Sequence, residues 1–153
     1  MPYTEQRLIL VVDDEEVIID TFERAFAGQD KFVVDVAKTV QTAIEKLRAI
    51  FYDLIFLDMK IGASFAGIKV LEALRELEIQ TEAKGKQVKL GHVVIMSGSV
   101  SLDDFSKKAN ELDVFSFIDK PVNFTPEFVR RVVNKLGLPL LPQRSEEKKI
   151  EGK

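Results

Sequence analysis

The chain has no cysteine and no tryptophan, and only one histidine among its 153 residues. Without cysteine there can be neither a disulfide framework nor a thiolate metal site. His92 has no second His or Cys with which to hold zinc, so its expected role is structural. Side-chain metal chemistry is thereby left to oxygen ligands and hard cations. Basic residues are not in excess either: 22 Lys and Arg stand against 25 Asp and Glu, a net charge of −3. That balance argues against direct nucleic-acid binding, which needs clustered cations to displace counterions. Long apolar runs are missing as well. The first, Leu8 to Val12, is too short for a signal-peptide core, and no stretch approaches the ~18 residues of a membrane span. The expectation is a cytoplasmic protein with no membrane contact. The length fits one domain plus a tail, with enough apolar residues to build a core without staples.

What is present is an alternation. Compact apolar runs occur at Leu8–Val12, Phe32–Val36, Leu54–Leu57, Val93–Met96 and Val114–Ile118. They are short and rich in Val, Ile, Leu and Phe, as strands buried on both faces are. Between them, apolar residues recur at helical steps. Val17, Phe22 and Phe26 mark a first helix, Val40, Ala43, Ile44 and Leu47 a second, and Ile68, Leu71, Leu74 and Leu77 a third. A fourth is expected over about 102–112 and a fifth over about 126–136. Their ends carry capping chemistry: an Asp13–Glu16 box, a Ser101–Asp104 box, Thr125 before Pro126, and Gly28 and Gly137 where C-terminal caps belong. The stretch from Glu78 to Gly91 reads as a helix end and a solvated connection. Five strand–helix repeats imply right-handed crossovers, hence an α/β protein with a doubly wound parallel sheet and helices on both faces. Ligands of such sheets bind at the carboxyl ends of the strands.

Four of the five runs end on a group suited to phosphate or a cation. Asp13 and Asp14 follow the first, Asp58 the third, Ser97 the fourth, and Lys120-Pro121 the fifth. Taken singly, each has a structural explanation: a helix cap for Asp13 or Asp14, a polar strand terminus for Asp58, turn chemistry for Ser97 and a surface turn for Lys120-Pro121. Taken together, they point to a site. Three carboxylates at neighbouring strand ends repel one another unless a cation neutralises them. Oxygen ligands of this kind suit Mg²⁺, which commonly joins a few carboxylates to phosphate oxygens. A lysine and a hydroxyl opposite can hold a phosphate, and an Asp carboxylate can act as a nucleophile toward phosphorus.

This ordered set resembles the receiver domain of two-component response regulators, the fold of the chemotaxis regulators, over about residues 6–136. The resemblance implies a flavodoxin-like five-stranded sheet of order 2-1-3-4-5, a receiver domain over 1–136, and a C-terminal tail or linker stub over 137–153. It implies that Asp58 is the phosphoacceptor, and that Mg²⁺ is bound by Asp13, Asp14, Asp58 and the backbone carbonyl of Lys60. Lys120 and Ser97 would contact phosphoryl oxygens, and Ser97 and Phe117 would form the switch. Lys120-Pro121 would be a cis peptide. The partners implied are a histidine kinase or phosphotransfer protein upstream, and a downstream protein or the chain's own effector domain. The output surface of such domains lies on the fourth helix, fifth strand and fifth helix. The implied role is signalling rather than enzymatic turnover.

The segment after the phosphoacceptor departs from the family pattern. Asp58-Met59-Lys60-Ile61-Gly62-Ala63-Ser64-Phe65-Ala66-Gly67 lacks the usual Met-Pro pair and carries one extra residue before the glycine. This departure keeps a second reading open, a degenerate receiver that binds protein partners without phosphorylation. It also places Lys60, with Ser99, where each could tune the lifetime of an aspartyl-phosphate. A hydrolase of the haloacid-dehalogenase type would want D-x-D at the first strand end, whereas the sequence there is Asp13-Asp14-Glu15. A flavin binder would want a phosphate-cradling loop in place of those acids.

Overall fold

The computed structural model describes residues 6–29, 32–61, 66–82, 91–97, 116–119 and 125–135. Within them the elements run β1 (Arg7–Val12), α1 (Glu16–Ala25), β2 (Phe32–Ala37), α2 (Val40–Ala49), β3 (Leu54–Asp58), α3 (Gly67–Glu82), β4 (His92–Ser97), β5 (Ser116–Asp119) and α4 (Pro126–Lys135). The strands form one parallel sheet of order β2-β1-β3-β4-β5, as expected. The expected helix over 102–112, the Ser101–Asp104 box, Lys120-Pro121, Gly137 and the tail lie outside the described residues.

Alternation along the strands divides the core in two. Leu10, Val12, Ile55, Leu57, Val93 and Ile95 face α2 and α3, meeting Ala43, Leu47, Val70, Leu71 and Leu74. Ile9, Val11, Leu54, Phe56, Val94 and Met96 face α1 and α4, meeting Phe22, Phe26, Val129 and Val133. The three central strands are thus buried on both faces, which explains their unbroken apolar runs. Phe22 packs on Phe56 with ring centroids 4.7 Å apart, and Phe26 on Phe32 at 4.5 Å. Each fully buried side chain of this size contributes roughly 1.5–3 kcal/mol.

Several local expectations are corrected. Helix α1 starts at Glu16 with Glu15 as its N-cap and no side-chain cap, so Asp13 and Glu16 do not form a capping box. The reason is that Asp13, just past β1, is still held against β2, its N–H donating to the Ala37 carbonyl at 3.1 Å. With the helix in that phase, Val17 is 72% exposed, and Ile18 and Ile19 take the core positions. Gly28 lies past the C-cap, Phe26. It occupies a turn at φ 77°, where the Gln29 N–H donates to the Phe26 carbonyl. The stretch from Glu78 opens as the expected helix end, with α3 running on to Glu82, but Glu78 itself is buried and paired with Arg75. By contrast, Thr125 caps α4 as expected, accepting from the Phe128 N–H at 3.1 Å.

At the amino-terminal edge of the sheet, polar contacts tie the connections down. Asp53 accepts from the Leu8 N–H at 2.8 Å and pairs with Arg7, while its carbonyl accepts from the His92 N–H at 3.1 Å. Beside it, the Tyr52 hydroxyl donates to Asp35 at 2.5 Å, and Lys46 holds the same carboxylate at 2.9 and 3.1 Å. These contacts join edge strand β2 to α2 and to the entry of β3. Burial pushes the Asp35 carboxyl up, but Tyr52, Lys46 and the Val36 N–H together outweigh it and hold the group below its ordinary value. A carboxyl whose folded pKa is depressed contributes stability above its unfolded pKa, near 3.8, and loses it as pH falls through the lower folded value. Tyr52→Phe is expected to cost about 1 kcal/mol at pH 7, with a smaller loss at pH 3, below the unfolded value, where the contribution of the Asp35 charge is fading. Urea unfolding at the two pH values checks this; an equal loss at both would separate Tyr52 from the Asp35 charge.

Candidate functional site

The register of the sheet builds the site. Val12 pairs with Ala37 on one side and Leu57 on the other, and Leu57 pairs with Ile95, which pairs with Phe117. One residue beyond this row stand Asp13 on β1's exit and Asp58 at the end of β3. Their positions therefore follow from the parallel pairing of two core strands. Asp13 is fully buried, Asp58 is 3% exposed, and Asp14 is exposed. Carboxylate oxygens of the three lie within 4.8 Å of one another.

Local backbone contacts fix each carboxylate. Asp13 accepts from the Glu15 N–H at 2.9 Å, which turns the chain out of β1 toward α1. Asp58 accepts from the Lys60 N–H at 3.2 Å. The Met59 N–H extends the β3–β4 ladder to the Met96 carbonyl at 3.3 Å, and the Met59 carbonyl receives the Gly67 N–H at 3.0 Å. Met59 and Ile61 are buried, so the start of the unusual segment is anchored despite the missing proline. The side chain of Lys60 is exposed.

Of the expected site residues, the structure brings Asp13, Asp14 and Asp58 together and places Lys60 beside Asp58 through its backbone. Ser97 closes β4 one residue past Met96, the partner of Asp58, and pairs in register with Asp119. Phe117 holds the β5 position opposite Ile95. Lys120 lies outside the described residues.

Two features escaped the sequence reading. Gly67 is one: a Cβ there would stand 2.3 Å from the Asp58 carbonyl oxygen and 2.8 Å from the Met59 Cα. A side chain would push α3 off the strand end that carries Asp58, and a glycine at the very start of a helix was the available signal. The other is Lys38, just past β2, which pairs with Glu16. Its cation stands at the one strand end that the sequence reading left unassigned, and only the strand order shows that it adjoins the β1 exit.

The chemistry of this corner is that of oxygen donors without nitrogen or sulfur. Among the described residues, Asp13, Asp14 and Asp58 are the group able to hold a metal ion, and three carboxylates fit a hard divalent cation such as Mg²⁺.

Residues 9–132 match the family described as the response regulator receiver domain. The chain belongs to that family. Receiver domains are signalling modules rather than conventional enzymes, and this one shares 28% identity over 128 residues with the sensory transduction protein LytR of Staphylococcus haemolyticus. That match takes in 83% of this chain and 44% of the relative, so this receiver spans less than half of that protein's length. The fold resembles the signal receiver domain of a putative LuxO repressor protein from Vibrio parahaemolyticus, with TM-score 0.66, 18% identity, and 95% and 96% of the two chains covered. It also resembles a response regulator from Burkholderia pseudomallei solved with a phosphorylated aspartic acid, a calcium ion and citrate, with TM-score 0.65, 20% identity, and 95% and 73% covered. No helix among the described residues is long and apolar enough to cross a membrane.

Gly67→Ala is expected to lower stability by about 1–3 kcal/mol, the cost of forcing a methyl group into packed backbone. It should also disturb the Asp58 amide environment. Denaturant unfolding with amide NMR checks both; an unperturbed Asp58 would show that α3 yields instead.

Proposed function

We propose that this receiver is phosphorylated on Asp58 by a histidine kinase or a phosphotransfer protein. The observation that carries the reading is the buried Asp58 carboxylate at the end of β3, with oxygens of Asp13 and Asp14 within 4.8 Å. A carboxylate oxygen of Asp58 attacks the phosphorus of a phosphohistidine. The phosphorus–nitrogen bond breaks, its electron pair returns to the donor imidazole, and an aspartyl-phosphate remains. Asp13, Asp14, Asp58 and the Lys60 carbonyl would hold Mg²⁺, which supplies positive charge against the phosphoryl oxygens. Lys120 adds a second positive charge, and the Ser97 hydroxyl donates a hydrogen bond to a phosphoryl oxygen. The site works mainly by positioning and electrostatics. The phosphorylated aspartic acid of the Burkholderia structure supports this chemistry on the same fold.

The output is a shift between two packings, with Ser97 and Phe117 preferring one when Asp58 is phosphorylated. The receiver unit spans 1–136, with 137–153 as a tail or linker, and it acts in the cytoplasm on a downstream protein or an attached effector domain. A second reading is favoured by the segment after Asp58, which lacks the Met-Pro pair and carries an extra residue. In that reading the domain binds partners without being phosphorylated.

Incubation with Mg²⁺ and acetyl phosphate is expected to add about 80 Da to the intact mass. The adduct should disappear in Asp58→Asn and on chelation of the metal. No adduct with acetyl phosphate or with a cognate kinase would favour the binding module. Lys60→Ala is expected to change the rate at which the adduct decays, and an unchanged rate removes Lys60 from the lifetime control.

A further inference from the structure

At the edge of the sheet opposite the acidic site, a cleft of ≈ 240 Å³ opens between the end of α2, the connection into β3, and α3. Leu47, Leu74 and Leu77 line it, and Ile50 and Phe51 stand at its mouth 42% and 53% exposed. Tyr52 adds a buried aromatic wall, its hydroxyl already given to Asp35. The interior therefore offers apolar surface with an aromatic share. A cavity of about 150 Å³ walled by such side chains takes up benzene. This one has room for a single ring with a short chain attached.

The rim of the cleft carries charge of both signs. Arg48 borders it and, among the described residues, has no ion pair, whereas Lys46 in the same helical turn is held by Asp35. A guanidinium fork is suited to a carboxylate. Beside it, α2 ends without a closing turn. Its C-cap, Ile50, is extended at φ −135° and ψ 139°, and the Ile50 N–H returns to the Lys46 carbonyl. No backbone N–H of the described residues donates to the carbonyls of Leu47, Arg48 or Ala49, some of which a left-handed glycine cap would have satisfied. These three residues also line the cleft. They form the negative end of the helix dipole, which attracts a cation that can donate hydrogen bonds.

One chemical class meets all of these features. A carboxylate alone would satisfy Arg48 but face the negative end of α2, and an amine alone would meet the reverse. A zwitterion with an apolar body satisfies both and fills the interior. We propose that the cleft between α2 and α3 binds an aromatic α-amino acid, its ring among Leu47, Leu74 and Leu77, its carboxylate on Arg48 and its ammonium at the carbonyl end of α2. The site stands at the opposite edge of the sheet from Asp13, Asp14 and Asp58 and does not depend on their chemistry.

Titration of the full chain with L-phenylalanine, followed through backbone amide resonances, tests the proposal. Saturable shifts are expected at Ile50, Phe51, Tyr52, Leu74 and Leu77, with half-saturation at about 1 mM or below. Three analogues each lack one feature: 3-phenylpropionate the ammonium, phenethylamine the carboxylate, and glycine the ring. Each should bind at least about ten-fold more weakly. Arg48→Gln, a change at an exposed position remote from the acids, should weaken L-phenylalanine to the same degree. Shifts that do not saturate, or that centre outside the cleft, would overturn the proposal. So would any of the three analogues binding as tightly as L-phenylalanine, or an unchanged affinity in Arg48→Gln.

Discussion

Carboxylate oxygens of Asp13, Asp14 and Asp58 within 4.8 Å of one another repel, and the fold is arranged to hold them there nonetheless. Two of the three residues are buried, so water screens them poorly. What opposes the repulsion is the rigidity of the two strands that deliver them. Val12 and Leu57, the residues immediately before Asp13 and Asp58, are paired in register and fully buried. Neither carboxylate can withdraw without breaking the ladder or opening the core. The Glu15 and Lys60 N–H groups then take up carboxylate oxygens by hydrogen bonding. Such an arrangement favours whatever positive charge can enter.

The two edges of the sheet divide the work. At the carboxyl edge lie the acids, the end of β4 at Ser97 and the close approach of Gly67 to Asp58. At the amino edge, the Asp53 contacts fix where strands begin, and Asp35, midway along β2, ties Lys46 and Tyr52 to the edge strand. A shift at the amino edge would be passed along the strands to the acids, because the core between them is close-packed.

Much of this was legible in the sequence. The runs at Leu8, Leu54 and Val93 announced central strands because burial on both faces removes polar residues from them. The parallel arrangement then placed chemistry at their carboxyl ends, where Asp13, Asp14 and Asp58 are found. What was not legible depended on phase or distance. The Asp13–Glu16 spacing fits a capping box, yet a hydrogen bond from the Asp13 N–H to the Ala37 carbonyl holds it at the β1 exit and delays the helix. The burial of Glu78 at the expected helix end was not legible, because the sequence does not show Arg75 turning one helical step to meet it. Lys38 and the close approach at Gly67 required the strand order and the backbone itself.

The central claim is that three strand-end carboxylates form one cation site around a reactive Asp58. A titration with Mg²⁺, followed through backbone amide resonances, tests it most directly. The account predicts saturable shifts concentrated at Asp13, Asp14, Asp58 and Lys60, and their loss in Asp13→Asn. Shifts that never saturate, or that persist unchanged in Asp13→Asn, would contradict it.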